Sequence, residues 1–335
     1  LSQIFTGKNY CPDKLSRREH TLVNRLSNCS LEHIEMPDHT LLELPKWMYR
    51  SIKDILKDTF VKELHALNQP ATIDLRVNTL KISTKQIQEL FKSEMINTER
   101  TPFSPVGLRL KKHERLIDSK FFKNGLFEFQ DEGSQIICLM TEARPGMSII
   151  DLCAGAGGKT LCLAASMSQK GLVRGRLIAC DISKKRLHAM KTRLSRAGAK
   201  PVELFHISAR GQLDLCQDEN RFDRVLVDAP CSNTGTWRRN PAARWNVTQD
   251  DLKKMCIKQS NILDRAAQLV RPGGKLIYAT CSILAEENEQ QISHFLDTHT
   301  NFKLSPDNIN WANSTGTYTS PISLGIRLSP ATTGT

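Results

Sequence analysis

At 335 residues the chain is long enough for two or three domains, each with its own core, and too long for one small module. A formal net charge of +12, from 47 Lys and Arg against 35 Asp and Glu, suits a partner rich in phosphate. Ten cysteines occur without a CxxC pair or a Cys/His cluster at zinc spacing, so free thiols in a reducing compartment are expected and no metal is called. No apolar run approaches the roughly 18 residues of a membrane span, and the N-terminal residues carry no secretory-type stretch. A soluble, cytoplasmic monomer is the expectation.

In chain order, residues 1–67 read as a helical lead-in, with an amphipathic stretch running from Leu42 to about Leu67. Residues 68–128 read as a small α+β module: a strand over Ile73–Asn78, a helix from about Thr84 to Met95 and strand-like pieces around Gly107 to Leu110. Asn124-Gly125 marks a turn, and Ser134 to Glu142 reads as a helix. Residues 129–335 then alternate strand and helix. The strands are Ser148–Ile150, Arg176–Cys180, Val202–Phe205 and Asp223–Val227, with helices from Gly158 and Ser183. That alternation predicts an α/β, doubly wound, Rossmann-like sheet. Thr248 and Asp251 form a capping-box pattern before a helix, which Arg271-Pro272-Gly273-Gly274 should end ahead of a strand over Lys275–Ala279.

Three segments at expected strand ends carry the chemistry. The turn Asp151-Leu152-Cys153-Ala154-Gly155-Ala156-Gly157-Gly158-Lys159-Thr160 is too rich in glycine for packing and suits a nucleotide-type ligand at a helix N-terminus. Its spacing is not that of a Walker loop. Asp181, at the end of the next strand, stands where an acid can hold ribose hydroxyls, or it can serve the start of the helix beyond Ser183. Asp228-Ala229-Pro230-Cys231-Ser232 and Ala279-Thr280-Cys281-Ser282 each end a further strand. In open parallel sheets these ends share one crevice, so the two thiols, the acid and the turn should converge. A lone cysteine after a buried strand is more often a small core residue, and Cys153, Cys162, Cys180 and Cys256 are read so. The loop Thr236–Trp245 holds Arg238, Arg239, Arg244, Trp237 and Trp245, a composition suited to phosphate pairing and base stacking.

At these residues the chain resembles the Sun/Fmu family of RNA (cytosine-C5)-methyltransferases of the NOP2/Sun superfamily, nearest to its bacterial small-subunit rRNA members. The likeness runs from about residue 40 to 330 and is strongest from Gln130 to Asn288. It implies a methyltransferase sheet behind an RNA-recognition-like module, S-adenosylmethionine as cofactor and RNA, most naturally ribosomal, as partner. It implies Cys281 as the attacking thiol, Cys231 as the cysteine that releases the product and Asp228 as the acid near N3 of the ring. Cofactor contacts would come from Cys153, Ala154, Gly155, Ala156, Gly157, Gly158, Lys159, Asp181, Arg186 and Asp228. Arg76, Arg238, Arg239 and Arg244 would meet RNA. Proline stands in the family where this chain has Ala156, and the acid expected to contact adenine after the third strand is replaced by Ser208-Ala209-Arg210, with Asp214 next. The lead-in would be at most the tail of a NusB-like domain, and the family's apolar closing strand would lie beyond Thr335. Rival readings are a noncatalytic ribosome-assembly protein, a tRNA methyltransferase and a nicotinamide-dependent dehydrogenase; the segment Asp228–Cys231 lacks the Pro-Pro of amino-group methylases.

Overall fold

The computed structural model describes residues 16–27, 30, 32–112, 114–208, 221–315, 318–319 and 325–334. Two compact units divide after Lys46, so the expected boundaries near 67 and 128 both fall inside the second unit. In the first unit, helix α1 (Arg17–Leu26) is started by a capping box between Ser16 and Glu19 and buries none of its residues.

The second unit begins with α2 (Lys46–Leu56) and α3 (Phe60–Leu67). Met48, Ile52 and Leu56 recur at helical spacing and form the buried stripe of α2. The small module follows as β1 (Asp74–Val77), α4 (Thr84–Ser93), β2 (Thr98–Arg100), β3 (Gly107–Leu110) and β4 (Phe127–Phe129). A four-residue helical turn, Lys120–Lys123, precedes β4. The antiparallel order β2-β3-β1-β4 is that of a split βαβ sheet. Leu75, Ile87, Phe91, Leu108 and Phe127 fill its core. Strand β2 is too short and polar to register as a strand from its pattern.

The large sheet has the parallel order β9-β8-β5-β6-β7 among the described residues. Its strands are β5 (Ser148–Asp151), β6 (Arg176–Asp181), β7 (Glu203–His206), β8 (Phe222–Asp228) and β9 (Val270–Ala279). Helix α5 (Glu132–Met140) leads in from the small module. Between the strands run α6 (Gly158–Ser166), α7 (Lys184–Ala197) and α8 (Gln249–Leu269), and α9 (Glu289–Thr298) follows β9. The chain winds from β5 outward through β6 and β7, then crosses back to β8. The switch point therefore lies between β5 and β8, where the crevice of a doubly wound sheet opens.

One expectation is corrected. Arg271-Pro272-Gly273-Gly274 does not separate helix from strand, because β9 starts at Val270 directly after α8. The register jumps from Phe222 opposite Val270 to Arg224 opposite Lys275, so the Pro-Gly-Gly stretch is absorbed as a bulge. Strand β9 lies at the edge of the described sheet, where a proline costs no ladder hydrogen bond on its free side.

The small module is fixed to the large one by buried polar contacts. Asn78 Nδ2 donates to the carbonyls of Gly125 and Ala197, 2.7 and 2.8 Å away. Glu128, 3% exposed, binds Arg193 at 2.7 Å and also Arg196, both on α7.

Candidate active site

Strand β5 ends in Asp151, which is fully buried. Its Oδ2 accepts from Thr160 Oγ1 at 2.7 Å, while Oδ1 has no partner. Burial pushes its carboxyl up to about 7, against the hydrogen bond from Thr160. The turn beyond it needs glycine at two places. Gly157 caps α6 at φ 84°, and a Cβ there would sit 2.5 Å from Met190 Cγ. Gly155, at φ 56°, donates its N–H to Asp181 Oδ2 at 2.9 Å. Asp181 Oδ1 also accepts from Ser183 N at 2.7 Å, while the Ser183 side chain caps α7. Asp181 thus holds the turn in place, and Arg186 lies 3.9 Å from it with a largely exposed side chain.

Lys159 and Asp228 meet across the crevice at 2.6 Å. Burial opposes the Lys159 charge, but Asp228 outweighs that, and the ammonium is held above its usual range. A cavity of about 530 Å³ opens between these groups, its lining including Asp131, Asp151, Cys153, Gly155, Lys159 and Asp228. Cys153 is a neutral wall, its thiol pushed up to about 12 by burial and then by the carboxylates around it.

Asp228 and Ala279 are register partners on β8 and β9, which carries the two cysteine segments out of the sheet side by side. The ladder continues as Ala229 N to Ala279 O and Gly235 N to Cys281 O, each 2.8 Å. Cys231 Sγ and Cys281 Sγ are 3.2 Å apart. Cys231 is buried and Cys281 exposed. The hydrogen bond from Cys231 lowers the Cys281 thiol, against burial and the Asp228 charge, and the same contact together with burial drives Cys231 far up. The contact therefore makes Cys281 the sulfur of the pair that ionises more readily and Cys231 the one that keeps its proton.

Behind the pair sits Glu287, fully buried. It accepts from Ser232 N at 2.8 Å, from Ser232 Oγ, and from Gln259 Nε2 at 3.0 Å. Gln259 also donates to Pro230 O at 2.9 Å, and Thr234 Oγ1 lies 3.0 Å from Ser282 Oγ. Asp151 and Glu287 were not singled out from the sequence. The signal for Asp151 was its place at a strand end before the glycine turn; Glu287, beside another acid, gave none.

The arginines take other places than expected. Arg76 is 3% exposed and gives Nη1 to Gln130 Oε1 and Gly158 O, both at 2.6 Å. Arg244 is 2% exposed, stacks on Trp237 at 4.8 Å and binds Asn68 Oδ1 at 2.7 Å. Both are interior braces, which corrects their assignment to RNA contact. Trp237 is fully buried and cannot stack on a base, whereas Trp245 is 59% exposed. Arg238 donates to the carbonyls of Gln69 and Pro70, and Arg239 pairs with Asp131 at 2.9 Å; both keep exposed surface. Asp214, with Ala209 and Arg210, lies outside the described residues. Among the described residues no cluster suits a metal ion, and no helix is long and apolar enough to cross a membrane.

The sheet order, the glycine turn and the acids at its strand ends define a Rossmann-like methyltransferase fold behind a ferredoxin-like module. The chain belongs to the family described as 16S rRNA methyltransferase RsmB/F, whose model matches residues 138–333, and a RsmF/B-like ferredoxin-like domain matches residues 44–116. Ribosomal RNA small subunit methyltransferase B of Yersinia enterocolitica is 34% identical over 286 residues, 85% of this chain and 63% of the relative. The probable enzyme of that name from Coxiella burnetii is 31% identical over 79% of this chain and 61% of the relative. The chain thus spans about three fifths of the length of these curated relatives. A methyltransferase homolog protein from Pyrococcus horikoshii superposes with a TM-score of 0.68 at 30% identity, covering 77% of this chain and 80% of that one. NSun6 from the same organism shares the fold, with a TM-score of 0.73 at 22% identity over 86% of this chain and 94% of its own.

Proposed function

We propose that this chain transfers a methyl group from S-adenosylmethionine to C5 of a cytosine in RNA, with small-subunit ribosomal RNA as substrate, through a covalent adduct on Cys281. The observation that carries this reading is the thiol pair, one exposed and one buried at 3.2 Å, beside the Lys159–Asp228 pair. Cytosine C5 is a poor nucleophile until a thiolate adds to C6, and a structural role explains neither the exposure of Cys281 nor its lowered thiol.

The cavity fits the cofactor. An unpartnered, buried carboxylate oxygen on Asp151 suits a cationic group, and S-adenosylmethionine carries an ammonium and a sulfonium. Residues 153–159, Asp151, Asp181, Arg186 and Asp228 would hold it, and when bound it supplies an electrophilic methyl group. The protein's own part begins with Cys281, whose sulfur bonds to C6 while the ring's electron pair moves toward N3. The proton held between Lys159 and Asp228 meets that charge. Once Cys281 is a thioether its charge is gone, and with it the repulsion that kept Cys231 protonated. Cys231 can then pass its proton to solvent and take the proton from C5, and the C6–S bond breaks as the ring regains its double bond. Arg238, Arg239 and Trp245 are the loop residues left to meet RNA.

The test is incubation with methyl-labelled S-adenosylmethionine and unmodified small-subunit rRNA, beside a folded Cys281→Ala variant, with digestion to nucleosides. Label in 5-methylcytidine from the parent alone is expected. Equal label from both proteins would remove Cys281 from its role.

A further inference from the structure

Asn233 follows Ser232 in the loop between the two thiols. Its backbone sits at φ 58°, the left-handed region that favours glycine, and its carbonyl accepts from Thr236 N at 2.9 Å and Thr236 Oγ1 at 2.8 Å. That turn brings the residue against both sulfurs. Its side-chain Oδ1 accepts from Cys281 Sγ at 3.0 Å, and its backbone N–H points at the Cys231 sulfur.

We propose that Asn233 is a further catalytic residue of the thiol pair, its amide holding the Cys281 sulfur and stabilising it as the thiolate. The amide carries an acceptor and two donors on one carbon, and a half-turn about its last side-chain bond exchanges them. Oxygen presented to the sulfur holds the thiol, and nitrogen presented to it donates to the thiolate. A donor facing an anion makes the stronger contact of the two, because a thiol is a weak donor and the anion is not a weak acceptor. The net effect of the amide is to favour ionisation. The other groups that bear on Cys281 are Cys231 from the end of β8, Lys159 from the turn and Asp228, of which Asp228 alone opposes the thiolate by its charge. Turned to present Nδ2, the amide that holds Cys281 Sγ at 3.0 Å through its oxygen becomes an uncharged donor, which supports the thiolate without pairing to Asp228 as another cation would.

Asn233→Gly keeps the left-handed turn without strain and removes only the amide. The readout is the rate at which iodoacetamide alkylates Cys281, followed by mass spectrometry of its peptide across pH. In that reaction the thiol proton goes to solvent, the thiolate sulfur bonds to carbon and iodide leaves, so the rate tracks ionised sulfur. Asn233→Gly should move the midpoint up by about half to one pH unit, slowing alkylation about three- to tenfold below it. Asn233→Asp should move it further, since a carboxylate only accepts and adds a negative charge. An Asn233→Gly midpoint at or below the parent's, or an Asn233→Asp midpoint equal to the parent's, overturns the inference. The catalytic label rests on Cys281 being the nucleophile, and the two can fail separately. Alkylation needs no RNA, so an unshifted midpoint removes Asn233 alone. Methyl transfer by Cys281→Ala removes the nucleophile and leaves the alkylation result standing.

Discussion

Removing the Glu287 carboxylate should loosen the cysteine segment that it anchors, and Glu287→Ala tests this directly. The variant leaves Ser232 N and Gln259 Nε2 without this acceptor inside a fully buried site. Each buried donor left unmade costs about 1–3 kcal/mol, and relief from burying a carboxylate returns part of that. Gln259 keeps its bond to Pro230 O, which softens the second loss. A net cost of about 3 kcal/mol follows, which in a domain of this size lowers the melting temperature by about 6–12 °C. Glu287→Gln keeps an acceptor for Ser232 N, and the Ser232 hydroxyl can turn to accept from the new amide, so its cost should be about 1 kcal/mol. The functional consequence is separable from stability. With Ser232 unanchored, Cys231 loses its fixed place 3.2 Å from Cys281, and resolution of the adduct should slow more than its formation. Denaturing gels of protein incubated with RNA and cofactor should then show a covalent protein–RNA band with Glu287→Ala, as with Cys231→Ala. A melting temperature within about 2 °C of the parent together with no trapped band would refute the reasoning, because it would mean that the network around Ser232 positions nothing.

Asp151→Asn should change how stability depends on pH. The parent carboxyl titrates near 7 in the fold against 3.8 as its ordinary value, so the folded state binds more protons between those limits and stability falls as pH rises through them. The ceiling on that loss is about 4 kcal/mol, and the variant's melting-temperature advantage should therefore grow from pH 5 to pH 8; a constant difference would contradict it. Trp237→Ala should cost about 3–5 kcal/mol in thermal unfolding, since the ring is fully buried under Arg244. Trp245→Ala should leave stability nearly unchanged and weaken RNA binding about fivefold or more, as loss of one stacked base would.

Local chemistry made much of the fold legible. Thr248 and Asp251 do form a reciprocal capping box, because that signal acts within one turn of chain. The core strands β5, β6 and β8 read as apolar runs because parallel strands buried on both faces must be apolar throughout. The same reasoning misplaced the start of β9. Pro and Gly punctuate a chain only where the backbone has no other way to hold them, and a bulge on an edge strand is such a way.

The site was legible to the extent that its residues lie at strand ends, which a doubly wound sheet brings together whatever the intervening sequence. Asp228 and the glycine turn line one cavity, and Cys231 and Cys281 meet on the segments that leave the two adjacent strand ends. That logic could not find Glu287, whose meaning comes from Ser232 and Gln259, residues far from it in sequence. The arginines show the reverse error. A guanidinium in a loop announces charge but not partner, and the carbonyls of Gln69, Pro70 and Thr72 are as good acceptors as phosphate oxygens in geometry, though weaker in charge. Arg238, Arg239 and Arg244 therefore tie the loop at 236–245 to the chain around residues 68–72 and Asp131, beside the cavity. Any RNA reaching Arg238 or Arg239 must compete with those contacts, so the positive charge of this loop is partly committed before a substrate arrives. Binding that breaks the Arg239–Asp131 pair would also free Asp131, a residue lining the cavity, and so couple the RNA side of the site to the cofactor side.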